Sequence, residues 1–174
     1  TYQDLFSNQS FDNSTGGFAT IRSDRFGLLG DKMLNLSWGA CSAQLVLRDK
    51  PDGATRFQGA VVPLEGNYVS GLRYGNTNPV DGQLYLVGHD GWGTYALSDG
   101  CLHRLRYTGR PVFYPTGFRT YLNGIKLDFA EPLDADSIEE PRNYFVQQWN
   151  YTYSNSYGSP EYSGKHPGEE GHDT

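Results

Sequence analysis

Cysteine is nearly absent from this chain. Cys41 and Cys101 are its only two in 174 residues, which excludes a scaffold stapled by several disulfides. Neither belongs to a C-x-x-C-H arrangement, so no c-type haem attaches to these residues. Basic residues are also few. The 14 Lys and Arg face 20 Asp and Glu, for a net charge of −6, and a duplex nucleic-acid binder needs a basic face. No apolar run approaches the ~18 residues of a membrane-spanning helix. No window sustains a 3.6-residue apolar period. A P-loop, a G-x-S-x-G elbow and a Ser-His-Asp pattern are all missing. The chain opens on Thr1 with neither an initiator Met nor a signal peptide, so it reads as processed, trimmed or part of a longer polypeptide.

Turn formers and β-formers are plentiful. With 22 Gly, 13 Tyr and 9 Pro, the composition favours short strands and many turns, and the fold class reads as all-β. The length allows one sizeable core or two small ones. Val69–Gly109 shows the pattern best. Val69–Tyr74, Gln83–Val87 and Leu102–Tyr107 read as three strands. Asn78 to Gly82 makes a tight turn between the first two, and His89 to Gly100 makes a long glycine-rich loop between the second and third. Upstream, Phe18–Arg22, Leu34–Trp38, Ala43–Arg48 and Phe57–Leu64 read as four further strands, with a turn at Pro51-Asp52-Gly53. The two stretches form a weak internal repeat, in which Trp38 and Cys41 take the part of Trp92 and Cys101. A period of ~50 residues belongs in the range of β-propeller blades. Residues 1–109 therefore read as two blades. A closed ring has typically 4–8 blades, so other chain segments or other chains complete it, or the strands form a closed sandwich instead.

The pattern changes after Gly109. Gly117–Leu122 and Ile125–Phe129 read as a hairpin around Asn123-Gly124. Glu131–Arg142 is an acidic loop with at most one helical turn, and Tyr144–Tyr153 alternates like a strand. Residues 110–174 thus read as the start of an immunoglobulin-like sandwich followed by an irregular tail. Asn-x-Ser/Thr sequons occur at Asn8, Asn13, Asn35 and Asn150, a loose motif in a chain rich in these residues.

Three runs carry a family resemblance: Phe11–Ser42 (FDNSTGGFATIRSDRFGLLGDKMLNLSWGACS), Asp81–Thr94 (DGQLYLVGHDGWGT) and Leu102–Gly109 (LHRLRYTG). Together they resemble the last blades of a glucose/sorbosone-dehydrogenase-type propeller. Gly124–Tyr151 and the following YGSPEYS resemble the immunoglobulin-like module that comes next in such proteins. These are large secreted bacterial proteins that often carry a c-type haem domain. The resemblance implies a periplasmic or extracellular location. It also implies a parent protein that oxidises a sugar or alcohol, with pyrroloquinoline quinone and haem c as cofactors held outside this chain. The other reading of the residues present is a non-catalytic module for carbohydrate binding or assembly.

Loops at one mouth of a propeller gather ligands. His89 beside Asp90 suits a general base for a sugar hydroxyl. The plainer reading has His89 closing its strand and Asp90 turning with Gly91. Trp92 and Tyr95 suit stacking on a sugar face, with Asn13 and Trp38 contributing from the other repeat. The alternative places these rings in the gap between blades. Arg104 and Arg106 alternate on one strand face. By analogy with quinone-cofactor dehydrogenases they suit a cofactor carboxylate, and by composition they suit a solvated face. The tail cluster His166, Glu169, Glu170, His172 and Asp173 fits no metal-binding spacing. Cys41 and Cys101 read either as free thiols or as one disulfide.

Overall fold

Along one short strand, Leu34 and Leu36 point one way and Asn35 and Ser37 the other, and all four are buried. Alternate residues face opposite sides of a sheet, so this strand is covered on both faces. It is β2 (Met33–Ser37) in the computed structural model, which describes residues 12–155 and 158–174. With β1 (Thr15–Thr20), β3 (Ser42–Asp49) and β4 (Gln58–Leu64) it forms an antiparallel meander in sequence order. The register sets Leu34 opposite Leu45 and Leu36 opposite Ala43, which builds the apolar face. The other face is polar. There the buried Asp12 carboxylate accepts hydrogen bonds from Thr15 Oγ1 and Asn35 Nδ2, both at 3.0 Å, and from the Ser37 hydroxyl. Asn35 also donates to Gln44 Oε1 at 2.6 Å, so the buried polar groups satisfy one another.

A second meander follows: β5 (Leu72–Thr77), β6 (Leu84–His89) and β7 (Gly100–Leu105). Leu72, Leu84 and Leu86 line its inner side and are fully buried. They join Leu34, Leu36, Leu45 and Leu47 of the first sheet in one apolar core. The two meanders share a detail: each has an irregularity at the second residue of its first strand, between Thr15 and Gly17 and between Leu72 and Tyr74.

The first strands of the two meanders lie side by side. Gly16 sits against Leu72, Ala19 against Gly75, and Thr77 Oγ1 donates to the Thr20 carbonyl at 3.4 Å. The order of these contacts makes β1 and β5 parallel. Their approach leaves no room for side chains: a Cβ on Gly16 would lie 1.9 Å from the Leu72 carbonyl oxygen. Within the second sheet, a Cβ on Gly88 would lie 1.6 Å from the Gly71 carbonyl oxygen. Glycine at both places is a packing requirement.

The hairpin of β8 (Pro115–Tyr121) and β9 (Gly124–Phe129) completes this unit, which spans residues 12–131. Leu122 and Asn123 form its turn, one residue earlier than the Asn-Gly pair suggests. In this register Phe118, which is buried, pairs with Leu127. Arg119 holds the hairpin to β3 through two hydrogen bonds to Asp49, at 3.0 and 2.9 Å. That guanidinium keeps the Asp49 carboxyl below its ordinary pKa.

Residues 132–174 belong to a second unit. The acidic loop contains one short helix, α1 (Ala135–Glu139), capped by Asp134, whose side chain accepts from Ser137 N at 2.9 Å. The alternating Tyr144–Tyr153 run is not one long strand. Among the described residues its pairings are β10 (Asn150–Tyr151) with β11 (Glu161–Tyr162), and a bridge from Gln148 to Asp173. The tail is more ordered than its composition suggests. It folds back so that Trp149 stacks on His172 at 4.3 Å and His172 Nε2 meets Glu161 Oε2 at 2.5 Å.

All-β describes both units apart from α1 and short 3-10 turns, and none of the sheets among the described residues closes on itself. No helix among the described residues is long and apolar enough to cross a membrane. Both cysteines are free thiols. The Asn35 sequon is buried in β2, whereas Asn150 is exposed. The sequon at Asn8, and Phe11 at the start of the first family-like run, lie outside the described residues.

Candidate functional site

The end of β6 and the start of β7 pair through His89 and Gly100, and the ten residues between them must turn back over that end of the sheet. Short polar side chains fix the turn. The Asp90 carboxylate accepts from Gly91 N at 2.7 Å and from the Thr94 hydroxyl. The Thr94 bond, then the Gly91 N–H, hold this carboxyl below its ordinary pKa, and the charge of His89 adds slightly. Asp90 therefore serves the loop's own geometry.

Backbone bonds brace the loop from outside. Asp90 N donates to the Asp99 carbonyl at 2.9 Å, and Leu97 N and Ser98 N donate to the Val69 carbonyl at 2.9 and 3.0 Å. Two more bonds reach the first repeat: Tyr95 N donates to the Gly39 carbonyl at 2.9 Å, and Asn13 Nδ2 donates to the Gly93 carbonyl at 3.2 Å. Trp38 Nε1 donates to the His89 carbonyl at 3.0 Å, and the Trp38 and His89 rings lie 5.8 Å apart at 58°. The Arg73 guanidinium lies 5.9 Å from the Trp38 ring.

The structure thus brings Asn13, Trp38, His89 and the backbone around Tyr95 together at one end of the two meanders. Asn13 and Trp38 act here as braces for the loop. Trp92 and Tyr95 carry its surface and are 93% and 73% exposed. His89 Nδ1 lies 2.6 Å from the Asp90 carbonyl. In a neutral imidazole Nδ1–H is then the donor and Nε2 the basic atom. The Asp90 carboxylate is engaged by Thr94 and Gly91, so His89 and Asp90 do not make an orienting dyad of the triad type.

Sequence reasoning missed Thr94, Gly39 and Arg73, which position the loop. The signal for Thr94 is its place: Asp90 and Thr94 flank a Gly-Trp-Gly run, where a carboxylate and a hydroxyl can bond across the turn. Nothing in the sequence points to Gly39 or Arg73, because their contacts cross between repeats. Burial pushes the thiols of Cys41 and Cys101 above their ordinary pKa and leaves them poor nucleophiles. Among the described residues no three His, Cys, Asp or Glu side chains gather as a metal site.

The implied cofactors do not fit these residues. Haem c lacks its attachment motif. Arg104 and Arg106 lie toward the end of β7 opposite the His89 loop, so they form no clamp for a quinone carboxylate beside His89.

The fold and this site define a class: an all-β protein of short antiparallel meanders with a braced, aromatic-bearing loop at one end. No protein family, curated protein or solved structure gives a significant match to the chain.

Proposed function

We propose that the 89–100 loop is a saccharide-binding lip on a segment of a larger propeller-like protein. The observation that carries this reading is the loop's construction. Two large aromatic side chains stand in solvent on a backbone fixed by bonds to both repeats. Exposed rings on a pre-ordered loop offer apolar area at little ordering cost, which suits the flat face of a sugar ring. The propeller reading draws on the parallel contact between the first strands of two sequential meanders, the disposition of neighbouring blades about an axis. The family resemblance supplies the exported location and the immunoglobulin-like character of the second unit.

Titration of the chain with glucose, cellobiose and cello-oligosaccharides, followed by NMR, tests the lip. Binding should weaken about 10-fold in Trp92→Ala and in Tyr95→Ala, the scale of a lost aromatic contact. Saccharide affinity identical in both variants and the parent chain would overturn the reading.

Sugar or alcohol oxidation by an intact parent protein is a second reading, favoured by His89 on the same loop with Nε2 as its basic atom. If His89 is a general base there, His89→Ala lowers kcat by ~10²–10⁴-fold in the intact protein. An unchanged kcat in a folded His89→Ala protein removes the catalytic role and leaves binding alone.

A further inference from the structure

A second concavity lies away from the His89 loop. A cleft of about 370 Å³ opens between the outer strands of the two meanders, bounded by the end of β4, the 65–68 linker, β7 and the connector that follows it. This volume is in the range of small-molecule sites. Phe26, Leu29, Leu64 and Val112 give it apolar walls.

Tyr68, His103, Tyr107 and Tyr114 are among its polar lining residues. His103 Nε2 accepts from Val69 N at 3.4 Å, so a neutral His103 carries its proton on Nδ1. Tyr68 packs edge-on against the His103 ring, with centroids 5.5 Å apart. Burial, with a smaller contribution from Tyr114, keeps the Tyr68 phenol protonated. Three arginines line the cleft. The positive charge of Arg104 also reaches Asp81, which accepts from Gln83 N–H and from the Tyr85 hydroxyl. Arg106 and Arg110 make no ion pair among the described residues. Among the described residues Glu65 is the only carboxylate in the lining, and it is exposed. A surplus of cations over carboxylates at an apolar, tyrosine-lined cleft is conspicuous in a chain of net charge −6.

We propose that this cleft binds a ring-bearing carboxylate, with Arg106 and Arg110 holding the anion and Tyr68 and His103 the ring. The carboxylate attracts a guanidinium bidentately, and the ring body takes the apolar walls. A sugar acid and an aromatic acid share this chemistry.

Calorimetric titration of the full chain separates them, using D-glucuronate against glucose and 4-hydroxybenzoate against phenol. One acid should bind while its neutral counterpart does not, and the acid that binds names the source. Arg106→Ala/Arg110→Ala should weaken that acid at least ~10-fold, the scale of a lost charge-assisted bond. Both arginines are exposed, so the variant should keep its fold, checked by circular dichroism. Arg106→Lys/Arg110→Lys should recover only part of the affinity, because lysine lacks the planar fork. Failure of both acids to bind overturns the proposal, as does equal binding of acid and neutral compound or full affinity in the alanine variant. Trp92→Ala should leave acid binding unchanged, and a loss there would place the acid on the 89–100 loop instead.

Discussion

Tyr68 shows how much one buried phenol can report. Desolvation, with a smaller contribution from Tyr114, pushes its pKa up to about 12. In the unfolded chain a tyrosine ionises near ~10. Between those values the folded chain keeps a proton that the unfolded chain has lost. The stabilisation is therefore complete below ~10 and drains away as pH rises toward about 12. Relative to Tyr68→Phe, the parent chain should lose roughly 2 kcal/mol of stability across that window. Denaturant unfolding of both proteins at several alkaline pH values measures the difference, and parallel pH profiles would refute it. None of this was legible in the sequence, where Tyr68, one of the chain's 13 tyrosines, sits in a polar turn. Asp12 was equally silent. Its burial follows from Asn35 and Ser37 across the sheet, and only the alternation in β2 hinted that such a polar face existed.

Among elements, the strands of the two meanders were legible because each has local alternation and a turn signal at its end. Residues 34–38 and 43–48, read as strands, correspond to β2 and β3 within a residue or so. The Tyr144–Tyr153 run has the same alternation yet pairs at only a few residues. A strand needs a neighbour to receive its backbone groups, and its partner β11 is two residues long. Alternation records which side chains share a face and says nothing about the length of the partner. The glycines of the meanders were read as turn formers, but Gly88 lies inside β6. Gly88→Ala should destabilise the fold by about 3 kcal/mol or more, since overpacking against backbone has no side chain to yield. Gly53→Ala, in a turn with nothing within 4 Å, should cost much less, mainly through its positive φ of 75°. Thermal unfolding of the two variants decides this, and equal losses would count against the packing argument.

At the scale of the whole molecule, residues 12–131 present an apolar row on one sheet face to solvent. On the outer side of the second meander Tyr74 pairs with Val87 and Val87 with Leu102, and Tyr74 and Leu102 are 68% and 70% exposed. An apolar row across three strands promotes association. We expect the chain to self-associate through this face in a concentration-dependent way, and Leu102→Lys to lower that association, measured by sedimentation equilibrium. Unchanged association would mean that this face is inert. The candidate loop was legible as a glycine-rich insertion bearing tryptophan, whereas the cleft was not, because its walls come from segments ~80 residues apart in sequence. The glycine seam between β1 and β5 also has a consequence in time. With backbone lying directly on backbone there, no single side chain can swing aside to admit water. The amides beside the seam open only when the two sheets part as bodies, so their hydrogens should be among the last in residues 12–131 to exchange with deuterium.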